Sequence, residues 1–229
     1  MLTRRFLALG SATVALALVP GSAALAAGTS VIVRVEGRTH TLLAATTVHT
    51  HTGSITMGGT PTGACPATTA AGALQQATHG RWGGIYSSSL GGIELISIFG
   101  ERYPFTSSSF WGIWADNKFA SFGICGLKLH RGEQILFAPA PDRGTVYPTA
   151  ITAPKTVKAK RSFKVKVVYY NSAGKAKPLA KAKVHVGSTS AVTDRHGLVS
   201  VNATTAGKLK ITATEKGYIR PATVTVKVS

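Results

Sequence analysis

The chain has 229 residues, a formal net charge of +18 and an aromatic content of 7%. Alanine, glycine, threonine and valine are plentiful, a composition that builds β-structure around small cores. Only two cysteines are present, far apart in sequence, and a structural zinc site would need more ligands close by.

The N-terminus reads as an export signal. Arg4 and Arg5 form a short positive region, residues 6–18 are apolar apart from Gly10, Ser11 and Thr13, and Pro20 and Gly21 break the run. Ala24-Leu25-Ala26 puts small residues where a signal peptidase reads, so cleavage is expected before Ala27, with residues 1–26 as the leader. A spanning helix needs roughly 20 apolar residues, more than this core supplies. Phe6 follows the arginine pair with no spacer, which leaves the general and twin-arginine routes both open. No later run is long enough to cross a bilayer, so the expected destination is secreted or held at the cell wall.

In an oxidising compartment Cys65 and Cys125 can pair, and closing so long a loop would contribute roughly 4 kcal/mol in the chain-entropy picture. Two buried free thiols or a surface thiol are the other readings. Charge divides the rest of the chain. Residues 28–150 hold eight Lys and Arg against six Asp and Glu, and residues 151–229 hold sixteen against two. Pro139, Pro141, Pro148 and Pro154 punctuate the change. A near-neutral domain over residues 30–140 and a strongly basic one over 150–229 are expected to fold independently.

In the first domain, residues 31–36 read as a strand, Gly37-Arg38 as a turn and residues 41–48 as the returning strand. Residues 53–66 carry glycine and proline without periodicity and read as a loop. Thr68 or Thr69 can cap a helix that runs to about His79, with Ala70, Ala73, Leu74 and Ala77 on one face and Gly80 as the stop. Strands follow at residues 93–98, 110–115 and 134–137, with turns at Asp116-Asn117 and Arg131-Gly132. Strands split around one helix predict a small α+β domain of grasp-like topology.

These segments resemble a family of bacterial exported domains of unknown function related to the C-terminal β-domain of transcobalamin and intrinsic factor. The likeness covers roughly residues 30–140. It is carried by residues 31–37, Thr46-Thr47-Val48, Cys65, Thr68 with residues 70–74, residues 111–118, Gly123-Ile124-Cys125 and residues 129–137. The resemblance implies that Cys65 and Cys125 are the bridge of actinobacterial members. A second pair found in some relatives is missing, since Pro139-Ala140-Pro141 stands there. In the vertebrate carriers this domain covers a corrinoid held against a large helical domain. No segment of this sequence reads as such a domain, so the resemblance implies at most a weak small-molecule ligand.

Residues 150–229 alternate almost throughout. Phe163, Val165, Val167 and Tyr169 lie on one face of a strand, and Ala182, Val184 and Val186 on one face of another. Asn171-Ser172-Ala173-Gly174 and residues 193–197 are turns, and strands at 198–201, 208–213 and 222–228 complete an all-β antiparallel sandwich. Without a Cys-Trp-Cys signature it resembles the Ig-like and prealbumin-like modules of bacterial surface proteins, on Ala182-Lys183-Val184 and residues 193–197, 209–213 and 216–220.

Catalysis finds little support. Ser87-Ser88-Ser89 and Ser107-Ser108-Ser109 lie in polar loops without a nucleophile elbow. His49 and His51 share a strand face but lack a third metal ligand, and Glu94, Glu101, Asp116, Glu133 and Asp142 show no pairing spacing. No catalytic residue, metal or cofactor is expected. Trp111 and Trp114, three apart on a strand, should point to opposite faces, one core and one partly exposed; Trp82 follows the helix beside Gly80, Gly83 and Gly84, which read as glycine loops. These three tryptophans are the candidate ligand-binding residues, with core filling as the competing role. Lys164 and Lys166, Lys181 and Lys183, and Lys208 and Lys210 each share a strand face opposite apolar partners. If those strands share a sheet, the six form a stripe that attracts polyanions. The expected function is a non-enzymatic surface module that binds an anionic envelope polymer or another exported protein, with no specific nucleic-acid partner. A small-ligand carrier is the alternative.

Overall fold

A computed structural model describes residues 28–229. The expected leader and its cleavage site lie outside the described residues. Among the described residues no helix is long and apolar enough to cross a membrane.

The first half is α+β. β1 (Ser30–Glu36) and β2 (Thr41–His49) form a hairpin. A 3-10 turn at Met57–Gly59 interrupts the long loop that leads to α1 (Ala70–Thr78). β3 (Trp82–Ser87), β4 (Gly92–Ile98) and β5 (Glu101–Arg102) make a separate antiparallel sheet. β6 (Ser109–Ala115), β7 (Lys118–Phe119) and β8 (Gln134–Pro141) return to the first sheet, whose order is β2-β1-β8-β6-β7 with β1 and β8 parallel.

Alternation on β1 turns Val31, Val33 and Val35 inward, all fully buried, and leaves Arg34 and Glu36 on the other face. The small side chains of α1 let it lie close over the inner face. At Gly72 a Cβ would stand 1.8 Å from the Ala67 carbonyl oxygen, so the approaching chain requires glycine there. Thr69 takes the N-cap position, but its hydroxyl donates to the Pro66 carbonyl at 2.7 Å. The first helical amides find other acceptors. Ala70 and Ala71 donate to the carbonyls of Leu127 and Ile124, at 3.1 and 2.9 Å. The Cys65–Cys125 disulfide ties this same segment to the loop before the helix.

Two expectations from composition change here. The glycines beside Trp82 are not a loop. Gly83 and Gly84 lie in β3 at a bulge, and a Cβ on Gly84 would meet Ile93 Cγ2 at 2.4 Å. Pro139 and Pro141 do not end β8 either. The register with β1 stops at Phe137, so no strand on that side needs their missing N–H groups.

The second half is a two-layer β-structure. β9 (Tyr147–Thr152), β10 (Thr156–Val157), β11 (Arg161–Tyr170), β12 (Ala176–Pro178) and β13 (Lys183–Val186) come first. β14 (Thr189–Val192), β15 (Leu198–Ala203), β16 (Gly207–Thr214), β17 (Tyr218–Ile219) and β18 (Val224–Val228) complete it. One layer has the order β12-β11-β9-β17, with β15 also on β11; the other runs β10-β18-β16-β13-β14. Phe163, Val165 and Val167 of the first layer pack with Val184, Ile211 and Val226 of the second. The layers are mixed rather than wholly antiparallel, because β10 pairs with β18, and β17 with β9, in parallel. Both parallel partners are two-residue strands that patch a sheet edge.

The halves are joined by more than the chain. Trp114, Leu136, Ala138 and Ala140, on the outer face of the first sheet, form a separate apolar cluster with Ile219 of β17. Beside it Glu36, 1% exposed, accepts hydrogen bonds from Arg34 at 2.7 Å and from Arg220 at 3.2 Å. The Arg220 guanidinium also donates to the carbonyls of Gly37 and Arg38, and Arg34 donates to the Arg220 carbonyl. Burial lowers the pKa of the Arg34 guanidinium, and the adjacent Glu36 carboxylate opposes that shift.

Candidate functional site

The three tryptophans occupy different places. Trp82 is 6% exposed, and its indole N–H donates to Gln75 Oε1 at 2.7 Å. Trp111 sits in the core of the first half, edge-on to Tyr103, with its N–H on the Ile96 carbonyl. Trp114 points to the opposite face of β6, as the period of two requires, and lies in the cluster between the halves. It is buried as well, so the other face of the strand is covered by the second half rather than by water.

All six lysines singled out by alternation are exposed. They do not form one stripe. Lys164 and Lys166 lie on β11, in the layer that meets the first half, whereas Lys208 and Lys210 lie on β16 and Lys183 on β13, in the opposite layer. Outer faces of a sandwich point away from each other, so the six divide between two surfaces. Lys181 is not on a strand at all; it precedes β13 with a left-handed φ of 62°.

The β18-β16-β13 surface gains a residue beyond the six expected from sequence. Lys227 of β18 is exposed and stands directly opposite Lys208 of β16 in the antiparallel register. Lys210 follows on the same face, and Lys183 lies on the neighbouring strand. Lys227 is the fourth residue of the alternating Val-Thr-Val-Lys-Val run of β18, and that alternation is its signal. Like charges directly opposite oppose strand pairing. Among the described residues the two salt bridges are both on Glu36, so none of these ammonium groups is neutralised by a carboxylate.

The acidic residues of the first half are mostly occupied in shaping turns. Glu94 accepts from the Phe105 amide, Glu101 from the Arg38 amide and the Tyr103 hydroxyl, Asp116 from the Gln134 amide and Glu133 from the His130 amide. Asp142, in the segment between the halves, makes no such side-chain bond among the described residues. The Ser87 and Ser89 hydroxyls bond to each other, and Ser107 bonds within its own turn. His51 bonds to the Thr52 carbonyl. Among the described residues no three His, Cys, Asp or Glu side chains cluster as metal ligands.

No protein-family model and no curated protein matches the chain.

Proposed function

We propose that this chain is an exported, non-enzymatic binding module whose second half associates with an anionic envelope polymer through the outer face of β18-β16-β13. The observation that carries the reading is the unneutralised set Lys183, Lys208, Lys210 and Lys227 on one open sheet face. Crowding ammonium groups across a ladder costs stability, and a polyphosphate chain laid along the strands relieves it. Export is supported by the arginine-led apolar leader and by the disulfide, which persists in oxidising compartments. The parallel β1-β8 pair, flanked by β2 and β6, with α1 packed against β1 and β2, supports kinship of the first half with the transcobalamin C-terminal β-domain.

The test is binding of the purified chain to cell walls carrying teichoic acid, measured from low to high salt. Retention should fall steeply with salt and should be lost in a Lys208→Glu, Lys210→Glu, Lys227→Glu variant. Low-salt retention no greater than that of a neutral β-sandwich of similar size would falsify the proposal.

A further inference from the structure

A cleft of about 350 Å³ opens where the halves meet, lined by none of the residues of the Glu36 clasp. That volume lies at the low end of the roughly 300–1,000 Å³ typical of small-molecule sites. Three parts of the chain build it. The first half supplies Asn117 from the β6-β7 turn and Phe119 from β7, the connection supplies Asp142, and the second half supplies Tyr170, Asn171 and Ser172.

Its walls are aromatic. Phe119 is 46% exposed and is held edge-on by Trp114, with ring centroids 5.2 Å apart, so it presents a ring without being free to collapse. Phe110, on the same face of β6 as Trp114, also meets it edge-on at 6.4 Å. The polar groups have capacity to spare. The Asn171 Oδ1 accepts from the amides of Ala173 and Lys175, which fixes its side chain and leaves the amide N–H₂ to donate outward. Asn117 has a left-handed φ of 67° in its turn, and its side-chain amide makes no hydrogen bond among the described residues. The Asp142 carboxylate can accept, and the Ser172 hydroxyl, 3.5 Å from the Tyr147 hydroxyl, keeps capacity to do both.

Charge narrows the ligand. In a chain of net charge +18, this cleft is lined by one carboxylate and no Lys or Arg. An anionic ligand is disfavoured there. A quaternary ammonium would use the rings and Asp142, but it would make no hydrogen bond with the two carboxamides or the Ser172 hydroxyl. Sugar rings use both sets: an apolar face of C–H groups stacks on an aromatic ring, and adjacent hydroxyls donate to a carboxylate and exchange bonds with carboxamides. We infer that the cleft between the halves binds a neutral saccharide, stacked on Phe119 and hydrogen-bonded by Asn117, Asp142 and Asn171. This goes beyond the polyanion reading and uses none of its lysines.

The experiment titrates the purified chain with chitotetraose, maltotetraose, cellotetraose and mannotetraose. Intrinsic tryptophan fluorescence, to which Trp114 beside the cleft contributes, and the shift in unfolding temperature are the readouts, and choline is the cationic control. At least one tetrasaccharide should bind, and should raise the unfolding temperature, because the site exists only in the docked arrangement. Phe119→Ala should weaken that binding by about twofold to tenfold. Asp142→Ala, at an exposed position without side-chain bonds, should do the same with no change in fold, and Asn117→Gly removes the amide while keeping the turn. Lys208→Glu should leave it unchanged. The inference is overturned if none of the four binds, if choline binds in their place, or if binding survives both Phe119→Ala and Asp142→Ala intact.

Discussion

Glu36 and Arg220 lie 184 residues apart in sequence and meet at 3.2 Å in the junction between the halves. Neither is an ordinary surface charge. Glu36 has 1% of its side chain exposed and Arg220 has 22%, and the guanidinium also caps two carbonyls of the β1-β2 turn. The clasp therefore fixes how the two halves sit.

Arg220→Ala should cost about 2 kcal/mol, short of the 3–5 typical of a fully buried pair, because Arg34 still holds Glu36. Glu36→Ala should cost more, about 3 kcal/mol, since it strands a buried guanidinium at Arg34. Denaturant unfolding measures both, and equal small effects would show the clasp to be ornamental.

Lys227→Glu should separate stability from binding. Placed directly opposite Lys208, the new carboxylate replaces a repulsion with an ion pair, so the unfolding temperature should rise, by roughly 0.2–1 kcal/mol in stability. Affinity for teichoic acid should fall in the same protein. A variant that moves both properties the same way would count against a polyanion role for this face.

Loss of the disulfide should be costly. The bridged residues are 60 apart, and a loop of that length corresponds to about 4 kcal/mol in the chain-entropy model. Reduction also frees the segment that accepts the first helical amides, so α1 should lose protection early in hydrogen exchange. Amide exchange with and without reductant reads this out.

Asp194 should contribute an acid-sensitive increment. Its carboxylate accepts from the amides of Leu198 at 2.9 Å and His196 at 2.8 Å, and those bonds hold its pKa below the usual carboxylate range, the Leu198 bond most. A depressed folded-state pKa stabilises above the ordinary value, and the gain is lost as pH falls through the lowered one. Asp194→Asn keeps an acceptor but no titration. Its unfolding temperature should fall less than that of the parent as the solution is acidified below the usual carboxylate range.

The expected independence of the halves can be tested at the connection. Residues 142–145 are exposed between β8 and β9, and Arg143 offers a trypsin site. Cleavage there should come first. The nicked fragments should stay together on gel filtration through the Trp114 cluster and the clasp, and each should keep a cooperative transition when separated. A fragment from residue 144 onward that is unfolded alone would rule out independence.

The sequence made faces legible but not their partners. Alternation assigned Trp111 and Trp114 to opposite faces of β6 and each lysine to solvent, because the period of two is local. It could not say that Ile219, more than a hundred residues on, covers Trp114, or that β11 and β16 belong to opposite layers. Those facts depend on strand order, which no local pattern encodes. Composition misled at Gly83-Gly84 and at Pro139 and Pro141 for one reason. Glycine and proline mark where side-chain volume or an N–H must be absent, and that need arises inside sheets as well as between them. The aromatic cleft draws on three separate stretches of chain, so no spacing announced it.

The parallel pairing of β1 with β8 bears on how the first half would respond to mechanical tension. A protein held at an envelope by one half and gripped through the other is pulled along its chain. Tension entering at Ser30 and leaving beyond Pro141 draws two adjacent parallel strands past each other, over a register running from Ile32–Gln134 to Val35–Phe137. Their hydrogen bonds are then strained together in shear rather than opened one after another. Rupture under force is governed by the unfolding rate, and this arrangement places the first barrier at the centre of the sheet instead of at an edge.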